Sequence, residues 1–402
     1  MPLAIGQLRS LQTLPFFNIG EEAGRQIGQL RSLNNLSGSL EIRNLELVRS
    51  KEEAESANLF KKQNINELRL LWNELDNLRE NDREYNQLLE GLHPHQNLKG
   101  LIIERFFGDQ LSTWIGQLKK LVKFELRNCR TCKELPTLGH MPFLKYLHLE
   151  GLDNITTIGP SFYGESTVHS GSSSKLFPTL EHLILENMLN LREWVEASDH
   201  DGAMEVFPVL NTMRIKRPSL SFLDIPYCKK LTDLPKGKLC SLTSFRSLEI
   251  GPFSETTELR SFLDLFDALP QPMHPYLPFI WKLSLVGWPH WESLPDQLQY
   301  LSALTYLELD GFGVKSLPDW FGKLSSLELL YLYNCKKLEN LPSDQTMRSL
   351  TRLRELQIEM CPLLMERCNS ESSSSSSTNP VSEWSKISHI PRIIINGQRI
   401  RG

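Results

Sequence analysis

Several things are scarce in this 402-residue chain, and each absence narrows what it is. No stretch reaches the roughly eighteen uninterrupted apolar residues of a membrane-spanning helix. The opening MPLAIGQLRSLQTL lacks the charged region, apolar run and small-residue cleavage site of a secretory signal, so the cytoplasm or nucleus is the expected location. No excess of one charge is present: a net charge of -4 gives no pull toward nucleic acid or an anionic membrane. Cysteine is sparse and odd in number. The seven, Cys129, Cys132, Cys228, Cys240, Cys335, Cys361 and Cys368, are scattered rather than clustered, which argues for reduced thiols and against a disulfide framework.

Motifs that carry chemistry are missing as well. A phosphate-cradling G-x-x-x-x-G-K-[ST] loop does not occur, because Gly237-Lys238 runs into Leu239 and Cys240 with no suitable glycine ahead. Neither G-x-S-x-G nor H-E-x-x-H is found. The expectation is therefore a chain that is not an enzyme and uses no cofactor. The pair Cys129 and Cys132, with His140 and His148 downstream, has some look of a zinc site. Cys129 occupies a repeating packing position, however, and His148 falls on an outward strand position, so the cysteines read as core and no metal is expected. The sequons Asn35-Leu36-Ser37 and Asn154-Ile155-Thr156 carry no meaning without secretion.

What the chain has in quantity is one frame, L-x-x-L-x-L. It appears at Leu98, Leu101, Ile103; at Leu121, Phe124, Leu126; at Leu144, Leu147, Leu149; and at Leu180, Leu183, Leu185. It returns at Leu220, Leu223, Ile225; at Phe245, Leu248, Ile250; at Ile280, Leu283, Leu285; at Leu304, Leu307, Leu309; at Leu327, Leu330, Leu332; and at Leu353, Leu356, Ile358. Leu40 with Ile42, and Ile65, Leu68, Leu70, fit more loosely. Regular intervals, such as that from Leu98 to Leu121, fall in the range of roughly 20–29 residues typical of leucine-rich repeats.

Three further landmarks keep the same phase. Cysteine stands three places after the last apolar residue at Cys129, Cys228, Cys335 and Cys361. Leu-Pro recurs at Leu14-Pro15, Leu135-Pro136, Leu234-Pro235, Leu294-Pro295, Leu317-Pro318 and Leu341-Pro342, where proline fixes φ and ends strand pairing. A hexamer of GQLRSL type begins at Gly6, Gly28, Gly116 and Gly322. The prolines also exclude the competing explanation, an amphipathic helix or coiled coil, since each would cost a helix ~3 kcal/mol.

The closing L-x-L alternates apolar and polar residues with period two, as a short strand with one buried face does. One repeat cannot bury that face alone. Stacked coils can, with strands forming a parallel sheet and leucines forming internal ladders. The expected fold is an α/β leucine-rich-repeat solenoid, a horseshoe with a parallel concave sheet and an irregular convex side carrying short helices. Ser50 with Glu53 should cap one helix, and Asp82 another carrying Tyr85, Leu88, Leu89 and Leu92.

The expected organisation is a solenoid over 1–368, a Ser-rich linker over 369–382 and a capping segment over 383–402. Irregular coils are expected around 50–95, 159–175, 210–220 and 251–279. Gly164 to Ser174 reads as a protruding loop. The apparent frame Leu210, Met213, Ile215 lies too near Leu220 for both to be full repeats, so that place reads as a degenerate coil.

Function then rests on surface. Residues flanking the inner leucines should point from the concave sheet into solvent: Tyr146, His148 and Glu150; Tyr306, Glu308 and Asp310; Leu329, Tyr331 and Tyr333; Glu355, Gln357 and Glu359. With strands about 4.8 Å apart, Tyr306, Tyr331 and Tyr333 should gather beside Glu308 and Asp310 as an aromatic, acidic patch suited to a basic protein surface. Tyrosine is also simply a good strand former. Both readings stand at this level.

The stretch SLNNLSGSLEIRNLELVRSKEEAESANLFKKQNINELRLLW, from Ser32 to Trp72, resembles the start of the repeat region in plant coiled-coil nucleotide-binding leucine-rich-repeat resistance proteins. So do Leu88 to Phe106 and the stretch from Cys361 to Arg392. The resemblance implies a non-catalytic module of plant defence that recognises a pathogen effector or host protein and holds off a nucleotide-binding switch domain in cis or trans. It also implies that the first coil, which starts mid-repeat, is left bare and poorly soluble on its own. An intracellular substrate adaptor of a ubiquitin ligase is the alternative, though the helical ligase-binding motif it would need is not evident. An extracellular receptor would need a signal peptide, paired capping cysteines and N-x-L-x-G-x-I-P endings.

Overall fold

In the computed structural model the described residues are 2–73, 84–164, 175–195, 205–208, 210, 212–215, 246–251, 280–368 and 383–401. They belong to two units, Met1–Leu210 with Arg217–Ser241, and Asn211–Lys216 with Leu242–Gly402. The first unit contributes β1 (Phe16–Asn18), β2 (Ser37–Arg43), β3 (Asn64–Leu71), β4 (Gly100–Glu104), β5 (Lys123–Arg127) and β6 (Tyr146–Glu150). The short β7 (Thr157–Ile158) and β8 (Lys175–Leu176) follow, then β9 (His182–Glu186), β10 (Glu193–Trp194) and β11 (Glu205–Val206).

Its main sheet runs β1-β2-β3-β4-β5-β6-β9, every neighbouring pair parallel. The register makes the frames into ladders: Leu68, Leu101, Phe124, Leu147 and Leu183 form one, and Leu70, Ile103, Leu126, Leu149 and Leu185 the other. All ten side chains are buried. Stacking puts each frame's apolar face against its neighbours, with burial of each leucine contributing about 1.5–3 kcal/mol.

The looser early frames have a visible cause. Leu40 and Ile42 do join the ladders, opposite Leu68 and Leu70, but the register shifts at Gly38, which takes φ +82 where a side chain would be strained. Leu14-Pro15 corrects the expectation that such a step ends a strand. Pro15 lies just ahead of β1 and its carbonyl accepts from Glu41 N at 2.9 Å, so this proline opens a strand rather than closing one. Pro295 and Pro318 instead N-cap the 3-10 turns Asp296–Tyr300 and Asp319–Lys323.

The hexamers form the return side of each coil, and those at Gly28, Gly116 and Gly322 overlap 3-10 turns. Glycine is needed at Gly6 because a Cβ there would sit 2.7 Å from the Gln29 carbonyl oxygen of the next coil. Helix Lys51–Glu55 starts as expected, with Ser50 Oγ accepting from Glu53 N at 3.2 Å; the Glu53 carboxylate turns to Arg49 N at 2.9 Å. Helix Tyr85–Gly91 has Glu84 at its N-cap position and no side-chain cap; Asp82 lies outside the described residues. In the wide coils after β6, aromatic rings fill the extra width. Phe177 stacks on Phe207 at 4.9 Å and meets Phe162 at a 35° tilt at 5.0 Å, while Trp194 Nε1 donates to the Tyr163 hydroxyl at 2.7 Å.

The second unit holds β12 (Thr212–Ile215), β13 (Ser247–Ile250), β14 (Lys282–Val286), β15 (Tyr306–Asp310), β16 (Leu329–Tyr333), β17 (Glu355–Glu359), β18 (Arg392–Ile395) and β19 (Gln398–Arg401). They pair in that order, parallel up to β18, with β19 turning back antiparallel. Met213, Leu248, Leu283, Leu307, Leu330, Leu356 and Ile393 form a continuous ladder. The frame at Leu210 thus supplies a paired strand, whereas the frame at Leu220, the Ser-rich 369–382 segment and the loop over 165–174 lie outside the described residues.

One landmark escaped the pattern of leucines. The residue directly after a sheet strand takes a left-handed conformation at Asn44, Arg105, Asn128, Gly151, Asn187, Gly251, Gly311, Asn334, Met360 and Asn396. Asparagine and glycine tolerate that conformation best, so their recurrence there is the sequence signal for the turn off the sheet.

Candidate functional site

Parallel register lines up the residues between the ladder leucines into rows on the other face of each sheet. In the second unit these rows are half-buried. Tyr306, Glu308 and Asp310 on β15, Leu329, Tyr331 and Tyr333 on β16, and Glu355, Gln357 and Glu359 on β17 alternate with buried leucines and Ile358. Register sets Glu308 opposite Tyr331 and Asp310 opposite Tyr333. Tyr306 and Tyr331 therefore meet diagonally, and their rings stack at 5.1 Å with a 29° tilt.

The patch is wired internally. Tyr306 Oη donates to Glu308 Oε2 at 3.1 Å, and Tyr331 Oη donates to Glu355 Oε1 at 2.8 Å. Arg392 Nη1 holds the other Glu355 oxygen at 3.0 Å. Lys282 sits 5.2 Å from the Tyr306 ring centroid while pairing with Glu249, and Gln357 donates to Glu359. Burial, then Glu308, raises the Tyr306 phenol above its ordinary range; burial, then the bond to Glu355, pushes Tyr331 up to about 12. Both stay neutral donors at physiological pH, rigid and aromatic beside carboxylates.

In the first unit the corresponding rows are more tightly closed. Tyr146 and Glu150 are half-buried, but His148 is only 7 % exposed, which corrects its expected solvent-facing role. Glu125 and Ile184 flank it in register, and the Tyr146 ring meets it edge-on at 6.4 Å. Glu125, itself 1 % exposed, is held between Lys123 at 2.9 Å and Arg127 at 2.6 Å. Further along, Arg69 bridges Glu41 at 3.5 Å and also binds Glu104. The same frame rule that singled out Tyr146 would have found these residues, since they occupy equivalent positions of neighbouring strands.

Sequence reasoning also missed Glu186. It stands in register opposite Glu150, and its Oε2 lies 3.3 Å from His148 Nε2, while Glu150 Oε2 lies 3.8 Å from the same nitrogen. The three ligand-type atoms fall within 4.8 Å of one another, the one His/Cys/Asp/Glu grouping of this kind among the described residues.

The cysteines are core. Cys129, Cys335 and Cys361 are buried, and each thiol donates to the carbonyl of the last ladder residue one coil back: Ile103 at 3.6 Å, Leu309 at 3.8 Å and Leu332 at 3.6 Å. Cys132 donates to Gly108 O at 3.6 Å, and its proximity to Cys129 followed by burial raises its thiol pKa. His140 is exposed, and His148 groups with Glu150 and Glu186 rather than with the cysteines.

No helix among the described residues is long and apolar enough to cross a membrane. The chain is similar to plant disease-resistance proteins: 32% identical over 291 residues to RGA1 of Solanum bulbocastanum, covering 65% of this chain and 28% of that protein. RGA2 of the same species is 32% identical over 272 residues, covering 64% and 27%, and the RPP13-like protein 1 of Arabidopsis thaliana 31% over 260 residues, covering 60% and 24%. The chain thus spans about a quarter of the length of these relatives. Among solved structures, an internalin from Listeria monocytogenes covers 87% of each chain at 14% identity with a TM-score of 0.45. Residues 27–152 and 276–361, together more than half of the sequence, match the family described as R13L1/DRL21 LRRs, and the chain belongs to that leucine-rich-repeat family of plant disease-resistance proteins.

Proposed function

We propose that this chain is the protein-recognition and autoinhibitory leucine-rich-repeat module of a plant disease-resistance receptor, working without catalysis in the cytoplasm or nucleus. The observation that carries the reading is the Tyr306–Tyr331 stack on adjoining strands, framed by Glu308, Asp310, Glu355 and Glu359. Rigid aromatics on a sheet face supply contact area at low entropic cost, and tyrosine is enriched among binding hot spots. The carboxylates favour a partner with a basic surface. Tyr333 and Gln357 extend this face, and Tyr146 and Glu150 offer a second one on the other unit. The partner it recognises is a pathogen effector or a host protein.

Autoinhibition is supported by exposed apolar side chains of the first unit: Leu3, Leu8 and Phe16 are 60%, 55% and 43% exposed. Exposed apolar side chains of this kind are a surface for a partner domain. In this reading that partner is a nucleotide-binding switch domain, in cis or in trans.

The test is co-expression in leaf tissue with a nucleotide-binding switch domain from a coiled-coil resistance protein, scored by co-precipitation and by cell death from an autoactive form of that domain. The chain should bind and suppress cell death, and Leu3→Asp with Leu8→Asp should abolish both. Neither binding nor suppression by the intact chain would remove the autoinhibitory role.

A further inference from the structure

We propose that His148, Glu150 and Glu186 bind a divalent transition-metal ion, with zinc the best chemical match, on the non-ladder sheet face of the first unit. His148 and Glu150 are two residues apart on β6 and so share one face of the strand. Glu186 reaches them from β9, in register with Glu150. A cation between the two carboxylates would be attracted to both.

The distances suit such an ion. Ligands about 2.0–2.2 Å from a tetrahedral zinc are spaced about 3.4 Å from each other. His148 Nε2 is already 3.3 Å from Glu186 Oε2 and 3.8 Å from Glu150 Oε2, so small side-chain rotations complete the set. His148 and Glu186 are 7 % and 4 % exposed, which strengthens attraction to a cation, while half-buried Glu150 leaves the solvent side open for entry. Arg127, in register with Glu150 on β5, directs its guanidinium to Glu125 at 2.6 Å.

One imidazole nitrogen with two carboxylates selects for zinc over magnesium or calcium, which prefer all-oxygen shells. Three protein ligands leave a fourth position open for water or for a donor from a bound protein. His148 Nδ1 has no hydrogen-bond partner, so the ring lacks the outer support that tight structural sites give their histidines. The site is accordingly one of moderate affinity, filled and emptied reversibly.

Calorimetric titration of the metal-stripped full chain tests this, first with zinc chloride and then with magnesium chloride. One zinc should bind per chain and magnesium should not. Glu150→Gln and Glu186→Gln, which keep side-chain shape, should each weaken zinc at least about tenfold, the scale on which loss of even a supporting group acts. Absence of zinc binding, or unchanged binding in the double variant, would overturn the site. Cobalt substitution of the unaltered chain reads the ligands independently of any variant. A spectrum without thiolate charge transfer is expected, and a strong thiolate band would place the metal on cysteines instead.

Discussion

The hydroxyl of Tyr331 donates to Glu355 Oε1 across 2.8 Å, tying β16 to β17 on the face opposite the leucine ladders. Arg392 on β18 grips the other oxygen of the same carboxylate at 3.0 Å, so one glutamate links three successive strands. Tyr331→Phe removes only the first of these links. Its stability in urea should fall by about 0.5–1.5 kcal/mol, the net worth of one hydrogen bond, with the stacked ring retained. No loss in the denaturation midpoint would show that this bond does not form.

The ladders should dominate stability over the surface pairs. Leu147 is fully buried between Phe124 and Leu183, so Leu147→Ala should cost about 2–5 kcal/mol in denaturant unfolding. Lys145→Ala breaks an exposed 2.7 Å pair with Glu181 two residues away and should cost about 0–1 kcal/mol. Equal losses from the two would mean that the coil is not held by its apolar frame.

Much of this architecture is legible in the leucines, and the reason is periodic: each coil repeats one burial pattern, so errors at one frame are corrected by its neighbours. Residues 98 to 149 illustrate it, since every named frame position there is buried and those within the strands are in register. The Leu210 frame was harder because its sheet partner, at Leu248, is supplied from far along the chain. The surface rows followed from alternation in β15 to β17. His148 did not, because exposure depends on what stands on the flanking strands, and Ile184 and Glu125 close over it. Nor did Glu186, whose meeting with His148 needs the register between β6 and β9.

The left-handed turn that follows most sheet strands can be probed at Met360, which holds φ +54 and is 43% exposed. Met360→Asn should raise the melting temperature, since a left-handed conformation costs most side chains about 1–2 kcal/mol and asparagine less. Asn334→Val, at φ +52, should lower it. The opposite order would contradict the turn geometry.

Lys62 gives the chain a distinctive response to alkaline pH. Its Nζ is buried and donates to the carbonyls of Leu30 at 2.6 Å and Leu33 at 2.9 Å, and burial lowers its pKa from 10.5 to about 8. Above that value the folded chain has released a proton that the unfolded chain keeps until about pH 10.5, so this group favours folding increasingly as pH rises through the window. Below it, both states are protonated and the burial penalty is borne in full. The stability difference between wild type and Lys62→Met should therefore shift in favour of wild type from pH 8 to pH 10. A pH-independent difference would show that Lys62 is solvated.

The claim on which the functional account turns is that the face carrying Tyr306, Tyr331 and Tyr333 captures protein. Its most direct test is quantitative affinity capture from plant tissue by wild type and by the triple variant Tyr306→Ser, Tyr331→Ser, Tyr333→Ser, followed by Kd measurement for each partner recovered. Specific partners should bind the variant at least about tenfold more weakly while its circular dichroism spectrum is preserved. Capture of the same proteins with unchanged Kd by the folded variant would contradict the account.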